Sequence, residues 1–139
     1  MKRFVLDASI SLAWFVDDPV PDLAARAKKN LESGSIAVVP ALWHLEMANG
    51  FVIATRRNLL TPPEIAECFD YVEGLITSVV ENASDISSSR EIYVAAQTFG
   101  LTAYDATYLE TARRDRLPLA TLDHALRRAA TQAGVSLFR

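Results

Sequence analysis

The sequence is poor in cysteine, in glycine-rich loops, in long apolar runs and in excess positive charge. Its one cysteine, Cys68, excludes an internal disulfide framework and fits a reducing cytoplasm. The neighbours Ile65, Phe69 and Val72 mark that thiol as a small buried side chain rather than a nucleophile. The longest apolar runs are only about five residues, far short of the ~20 a membrane span requires. Met1-Lys2-Arg3 followed by apolar residues imitates a signal peptide, yet Asp7, Ser9 and Ser11 interrupt the apolar region and no A-x-A-like site follows. A soluble, cytoplasmic protein without membrane contact is expected. No Gly-rich loop follows any strand, which leaves Rossmann or P-loop nucleotide binding unsupported. The first turn also lacks the Asp-x-Asp arrangement of a phosphatase. The formal net charge is −3, which argues against a protein that coats nucleic acid through a strongly basic face. It leaves room for an enzyme that handles nucleic acid locally.

What is present is a regular alternation, without repeats or Gly/Ser linkers. The 139 residues, half of them hydrophobic, fit one domain with a real core. Phe4-Val5-Leu6 reads as the first strand, with a helix opening near Ser9. A second helix starts at Pro21-Asp22, runs to Leu31 and is stopped by Gly34. Ile36-Ala37-Val38-Val39 is the second strand, and Pro40 opens a long helix toward Asn58. Thr61-Pro62-Pro63-Glu64 combines an N-cap, a first-turn proline and a capping-box Glu. A weak third strand lies near Val79-Val80, and Asp85 or Ser87 caps the next helix. Thr102 to Asp105 opens another helix, ending near Asp115. Residues 117–121 form strand four, a helix follows from Asp123 to about Ala133, and Val135 to Phe138 is a possible edge strand. Strands separated by helices imply an α/β fold, with parallel pairing, right-handed crossovers and helices on both faces.

In such open sheets, ligands bind outside the carboxyl ends of the strands. Four acids fall at that rim. Asp7 directly follows strand one, Asp123 follows strand four, and Glu46 lies about a turn and a half into the helix that opens at Pro40. The helix of Asp105, about 11 residues long, descends roughly 16 Å. Strand four climbs back roughly 13–17 Å, which returns Asp105 to the side of Asp123. Two unit charges about 4 Å apart repel by ~4 kcal/mol at an effective dielectric of about 20. A cluster of four therefore calls for a cation, and hard divalent ions such as Mg²⁺ choose carboxylate oxygen.

Each acid also has a structural explanation. Asp105 is the fourth residue of a Thr-x-x-Asp capping box. Asp123 can cap a helix, and Asp7 can shape a turn. Glu46 is harder to explain so, among Leu42, Leu45, Met47 and Ala48. Capping does not require four acids on one rim. The pairs Arg56-Arg57, Arg113-Arg114 with Arg116, and Arg127-Arg128 read as helix C-terminal charges on a solvated face. His44 and His124 lack the sequence partner a general base needs. Trp14, Trp43 and the tyrosines read as core, since stacking on nucleic acid needs an exposed groove.

Four segments carry a resemblance: Val5-Leu6-Asp7-Ala8-Ser9, Glu46-Met47-Ala48-Asn49, Leu101-Thr102-Ala103-Tyr104-Asp105-Ala106 and Leu119-Ala120-Thr121-Leu122-Asp123. In this order they resemble the PIN-domain nucleases, most closely the VapC-like toxins of bacterial toxin–antitoxin pairs. The likeness covers nearly the whole chain, so residues 1–139 are expected to form a single PIN-like nuclease domain. The resemblance implies a three-layer α/β/α sandwich around a central, mostly parallel sheet of four to five strands, usually in a homodimer. It implies Mg²⁺- or Mn²⁺-dependent endoribonuclease activity on single-stranded RNA or on loops of structured RNA. Asp7, Glu46, Asp105 and Asp123 occupy the acidic motif positions. Ser9 and Thr121 match the small hydroxyl residues that accompany the first and last. The zinc-ribbon cysteines of the ribosome-maturation branch are missing.

In that reading Asp7 and Asp105 hold the principal metal, with Asp123 and Glu46 completing or adjusting the site. One ion or two remain open. Ser9, Asn49 and Thr121 either orient carboxylates or serve as ordinary caps and core hydrogen bonds. A cognate antitoxin protein is the expected partner, with Trp14, Phe15 and Trp43 as candidate anchors in an apolar groove. The alternative is a non-catalytic PIN-fold domain that binds RNA or protein, against which the intact acid set weighs.

Overall fold

The computed structural model describes residues 2–83 and 87–139. Its strands are β1 (Arg3–Leu6), β2 (Ile36–Val39), β3 (Val80–Asn82) and β4 (Leu119–Ala120). They form one sheet in the order β3-β2-β1-β4, with every pairing parallel. The two central strands are near-continuous apolar runs, Phe4-Val5-Leu6 and Ala37-Val38-Val39, all buried. That is the pattern of a parallel strand covered on both faces. β3 lies at an edge, and Glu81 and Asn82 on it are exposed.

The helices are α1 (Ala8–Val16), α2 (Asp22–Glu32), α3 (Ala41–Arg56), α4 (Pro62–Ser78), α5 (Ser89–Phe99), α6 (Ala103–Asp115) and α7 (His124–Gln132). Right-handed crossovers from β1 to β2 to β3 lay α1 to α4 on one face. The return to β4 lays α5 and α6 on the other. The packing agrees, because α1 meets α2 and α3 while α6 meets α5 and α7. The result is the three-layer α/β/α sandwich with helices on both sides of the sheet.

Local signals set most boundaries. Thr61 and Glu64 form a complete capping box at the start of α4, with a proline in its first turn, and Gly34 ends α2 with φ +99°. α3 stops at Arg56, short of the expected Asn58, because Asn58 itself takes the left-handed conformation, φ 55°, that asparagine tolerates just past a helix end. Ser88, not Ser87, caps α5 by accepting the Glu91 N–H. Asp85, the other expected cap, lies outside the described residues. The segment at Val135 to Phe138 does not become a fifth strand. It meets β4 through a single parallel bridge, Leu119 to Leu137. Among the described residues no helix is long and apolar enough to cross a membrane.

β1 has β2 on one side and β4 on the other, so the order of the strands reverses there. The crevice at that reversal, outside the carboxyl ends of the strands, is where open α/β sheets hold ligands.

Candidate active site

The β1–α1 turn and the β4–α7 loop meet at this crevice. Leu6 pairs with Ala120 in register, and Asp7 N–H donates to the Ala120 carbonyl at 3.0 Å. Asp7 stands at the N-cap of α1 but makes no side-chain capping bond, so its carboxylate is free for other partners. Ser9 Oγ donates to Asp7 Oδ2 at 2.6 Å, and Thr121 Oγ1 donates to the same oxygen at 2.7 Å. The two hydroxyls are themselves fixed, Ser9 by the Leu122 N–H at 3.0 Å and Thr121 by the Asp123 N–H at 3.0 Å. Asp7 is only 5% exposed. Burial pushes its pKa up, the two hydroxyl bonds oppose the rise, and the charge on Asp123 adds to it.

The remaining acids reach the same cleft, a cavity of about 610 Å³ whose lining includes Asp7, Glu46, Asp105 and Asp123. Glu46, in the second turn of α3, accepts the hydroxyl proton of Tyr108 at 2.6 Å. Burial raises its pKa, the Tyr108 bond opposes the rise, and Asp7 adds repulsion. Asp105 sits in the first turn of α6, where Thr102 Oγ1 accepts its backbone N–H at 3.1 Å. Its carboxyl is pushed up to about 6, first by burial and then by the charges of Asp123, Asp7 and Glu46. Asp123 does cap α7, through Oδ1 and the Leu126 N–H at 2.8 Å, while lining the cleft as well. The four acids thus converge as the strand geometry requires, and like-charge repulsion links them.

Of the polar companions, Ser9 and Thr121 hold Asp7 directly. Asn49 lines the cleft but, among the described residues, bonds to none of the four carboxylates. His44 pairs with Asn82 at 2.7 Å, at the edge strand. Cys68 is buried and free.

Three residues acquire roles that sequence reading did not give them. Tyr108 is fully buried, and its hydroxyl reaches Glu46 from another helix. Its position one turn after Asp105 is the sequence signal that could have found it. Arg127 is not at a helix C-terminus: it lies in the first half of α7, and its guanidinium donates to the Thr121 carbonyl at 3.1 Å. Tyr104, read as core, is exposed on the cleft. Trp43 keeps its core reading and loses the role of anchor. It is 0% exposed, and its indole N–H donates to Ser11 Oγ at 3.0 Å, so it cannot anchor a partner. Trp14 is buried with its N–H on the Ala24 carbonyl at 2.8 Å, leaving Phe15 half-buried at the rim of a shallow cavity with Tyr71.

Comparison with known proteins agrees with this architecture. No curated protein matches the sequence. The crystal structure of PAE2754 from Pyrobaculum aerophilum is similar, with a TM-score of 0.65 at 23% identity, over 92% of this chain and 79% of that one. At that identity the likeness speaks for the fold. The model of the PIN domain matches residues 4–132, a span that holds all four clustered acids and, but for Arg3, all four strands. On that match the chain belongs to the PIN domain family, a superfamily of nucleases.

Proposed function

We propose that this chain is a metal-dependent endoribonuclease that hydrolyses RNA phosphodiester bonds, and that it is the toxin of a toxin–antitoxin module acting in the cytoplasm. The observation that carries the catalytic part is the convergence of Asp7, Glu46, Asp105 and Asp123 on one cleft at the carboxyl edge of the sheet. The donor chemistry fits Mg²⁺ or Mn²⁺, since the acids offer hard oxygen and repel one another without a cation. Among the described residues no three of His, Cys, Asp or Glu form a ready-made cage. An open site of that kind suits Mg²⁺, which keeps several of its waters.

Asp7 and Asp105 are the metal ligands in this reading, and Glu46 and Asp123 complete the site. When bound, the ion orients the scissile phosphate, lowers the pKa of an attacking water and offsets charge on the leaving oxygen. Asp7 Oδ2 takes both hydroxyl bonds, which fixes the carboxylate where it lines the cleft. Asp105, with its pKa at about 6, is ionised at neutral pH and available as a ligand. The toxin assignment, the antitoxin partner and the homodimer rest on the VapC-like segments. Tyr93 and Val94, exposed on α5, offer apolar surface to a second copy.

The melting temperature of wild type and of Asp7→Asn, with and without millimolar Mg²⁺ or Mn²⁺, tests the metal. A ligand that binds only the folded state adds ~2.7 kcal/mol at a hundredfold excess over its Kd. A rise in wild type that vanishes in Asp7→Asn, followed by metal-dependent cleavage of single-stranded RNA, is the expected result. No rise in either protein returns the four acids to caps and turns and leaves a non-catalytic PIN fold.

A further inference from the structure

Among the described residues, the cleft that gathers the acids is lined by no Lys or Arg. Its other contribution is apolar. Leu45 precedes Glu46 and is 71% exposed; Tyr104 precedes Asp105 and is 63% exposed. Both line the cleft, as does the partly exposed Ile53. Two of the four acids thus carry a large exposed apolar side chain as their immediate neighbour. Tyr104 makes no hydrogen bond or ring contact among the described residues, so no polar or aromatic partner explains its place.

The residues lining this cleft offer a nucleic acid apolar and aromatic surface rather than positive charge. Every base presents a π-face, and stacking on an aromatic ring requires no positive charge. The base next to a phosphodiester held at the carboxylates lies within one nucleotide of them, and Tyr104 and Leu45 line the same cleft. We infer that Tyr104 is a stacking platform for the nucleobase flanking the scissile phosphate, with Leu45 adding apolar contact in the same cleft. The inference rests on the nuclease reading above. It makes Tyr104 a binding residue of the substrate rather than a member of the metal site.

The test uses a single-stranded RNA whose cleavage position has been mapped with wild type, and the same RNA abasic beside that position. Wild type, Tyr104→Leu and Tyr104→Phe are compared for KM and kcat with Mg²⁺ or Mn²⁺, with oligomeric state followed by sedimentation. Tyr104→Leu is expected to raise KM about tenfold, equivalent to ~1.4 kcal/mol, the scale of one base–aromatic stack. The loss falls on KM more than on kcat, Tyr104→Phe restores it, and on abasic RNA the difference between wild type and Tyr104→Leu disappears. An unchanged KM overturns the inference, as does an equal rise on intact and abasic RNA. A KM change that tracks loss of a dimer also overturns it and assigns the face to a second copy. Wild type that neither cleaves the RNA nor binds it by fluorescence anisotropy sinks the nuclease reading and the inference together. Cleavage that Tyr104→Leu leaves untouched sinks the stacking inference alone.

Discussion

Thr121 donates its hydroxyl proton to Asp7 Oδ2 at 2.7 Å while accepting the Asp123 N–H at 3.0 Å. One fully buried hydroxyl thereby ties the end of β1 to the loop that carries the last acid. Thr121→Val keeps the shape and removes both bonds. Leaving a buried donor and acceptor unpaired costs about 1–3 kcal/mol, and losing a group that orients a metal ligand lowers metal affinity by roughly 10- to 100-fold. Urea denaturation and Mg²⁺ titration by melting temperature read the two effects, with Thr121→Ser recovering both. A Val variant as stable and as metal-responsive as wild type would falsify the role given to this hydroxyl.

Asp105 gives the metal-free protein a defined pH dependence. Its folded pKa of about 6 lies above the ordinary 3.8 because burial and the like charges of Asp123, Asp7 and Glu46 disfavour its anion. Between those values the folded state holds a proton that the unfolded chain has released. Stability therefore falls as pH rises through the window. Asp105→Asn flattens this limb, leaving a residual slope from Asp7 and Glu46, whose pKa values are also raised. With millimolar Mg²⁺ the sign of the metal effect is opposite, since ionised carboxylates bind the ion. The stabilisation by Mg²⁺ grows as pH passes about 6. Denaturation midpoints at about pH 4.5, 5.5 and 6.5, with and without Mg²⁺, decide the matter. Parallel curves for wild type and Asp105→Asn would contradict the coupling.

Tyr108→Phe removes the donor that holds Glu46 Oε1 at 2.6 Å and leaves the ring in its buried place. That bond opposes the upward push of burial on Glu46, so without it the carboxyl titrates higher. A stability loss of about 1–2 kcal/mol is expected at neutral pH, together with an upward shift of the acidic limb of the cleavage profile. An unaltered profile would show that Glu46 does not titrate in the working enzyme.

The readability of this molecule from sequence follows the range of each interaction. β1 and β2 are visible as short apolar runs, and the start of α4 is visible because Thr61 and Glu64 are three residues apart. The four acids are visible because strand and helix lengths return each to the same rim. Tyr108 is not, since its partner Glu46 lies 62 residues away and a tyrosine on a largely buried helix reads as packing. Arg127 is misread for the same reason: helix position suggests a dipole role, and only the folded β4–α7 loop brings the Thr121 carbonyl within reach. Trp43 is in the core as its hydrophobicity suggests and Tyr104 is not, because hydrophobicity alone does not tell a core aromatic from one on a cleft. The missing fifth strand is a matter of extent, one bridge at Leu137 where a ladder would need several.

The reversal of strand order at β1 has a consequence for how the site comes into being. Its four carboxylates belong to four separate passes of the chain, at positions 7, 46, 105 and 123, and the first is held by hydroxyls from two of them. No hairpin or helix pair contains more than part of it. The cleft exists only when the first and last strands lie side by side, so completing the sheet and assembling the four carboxylates are one event in space.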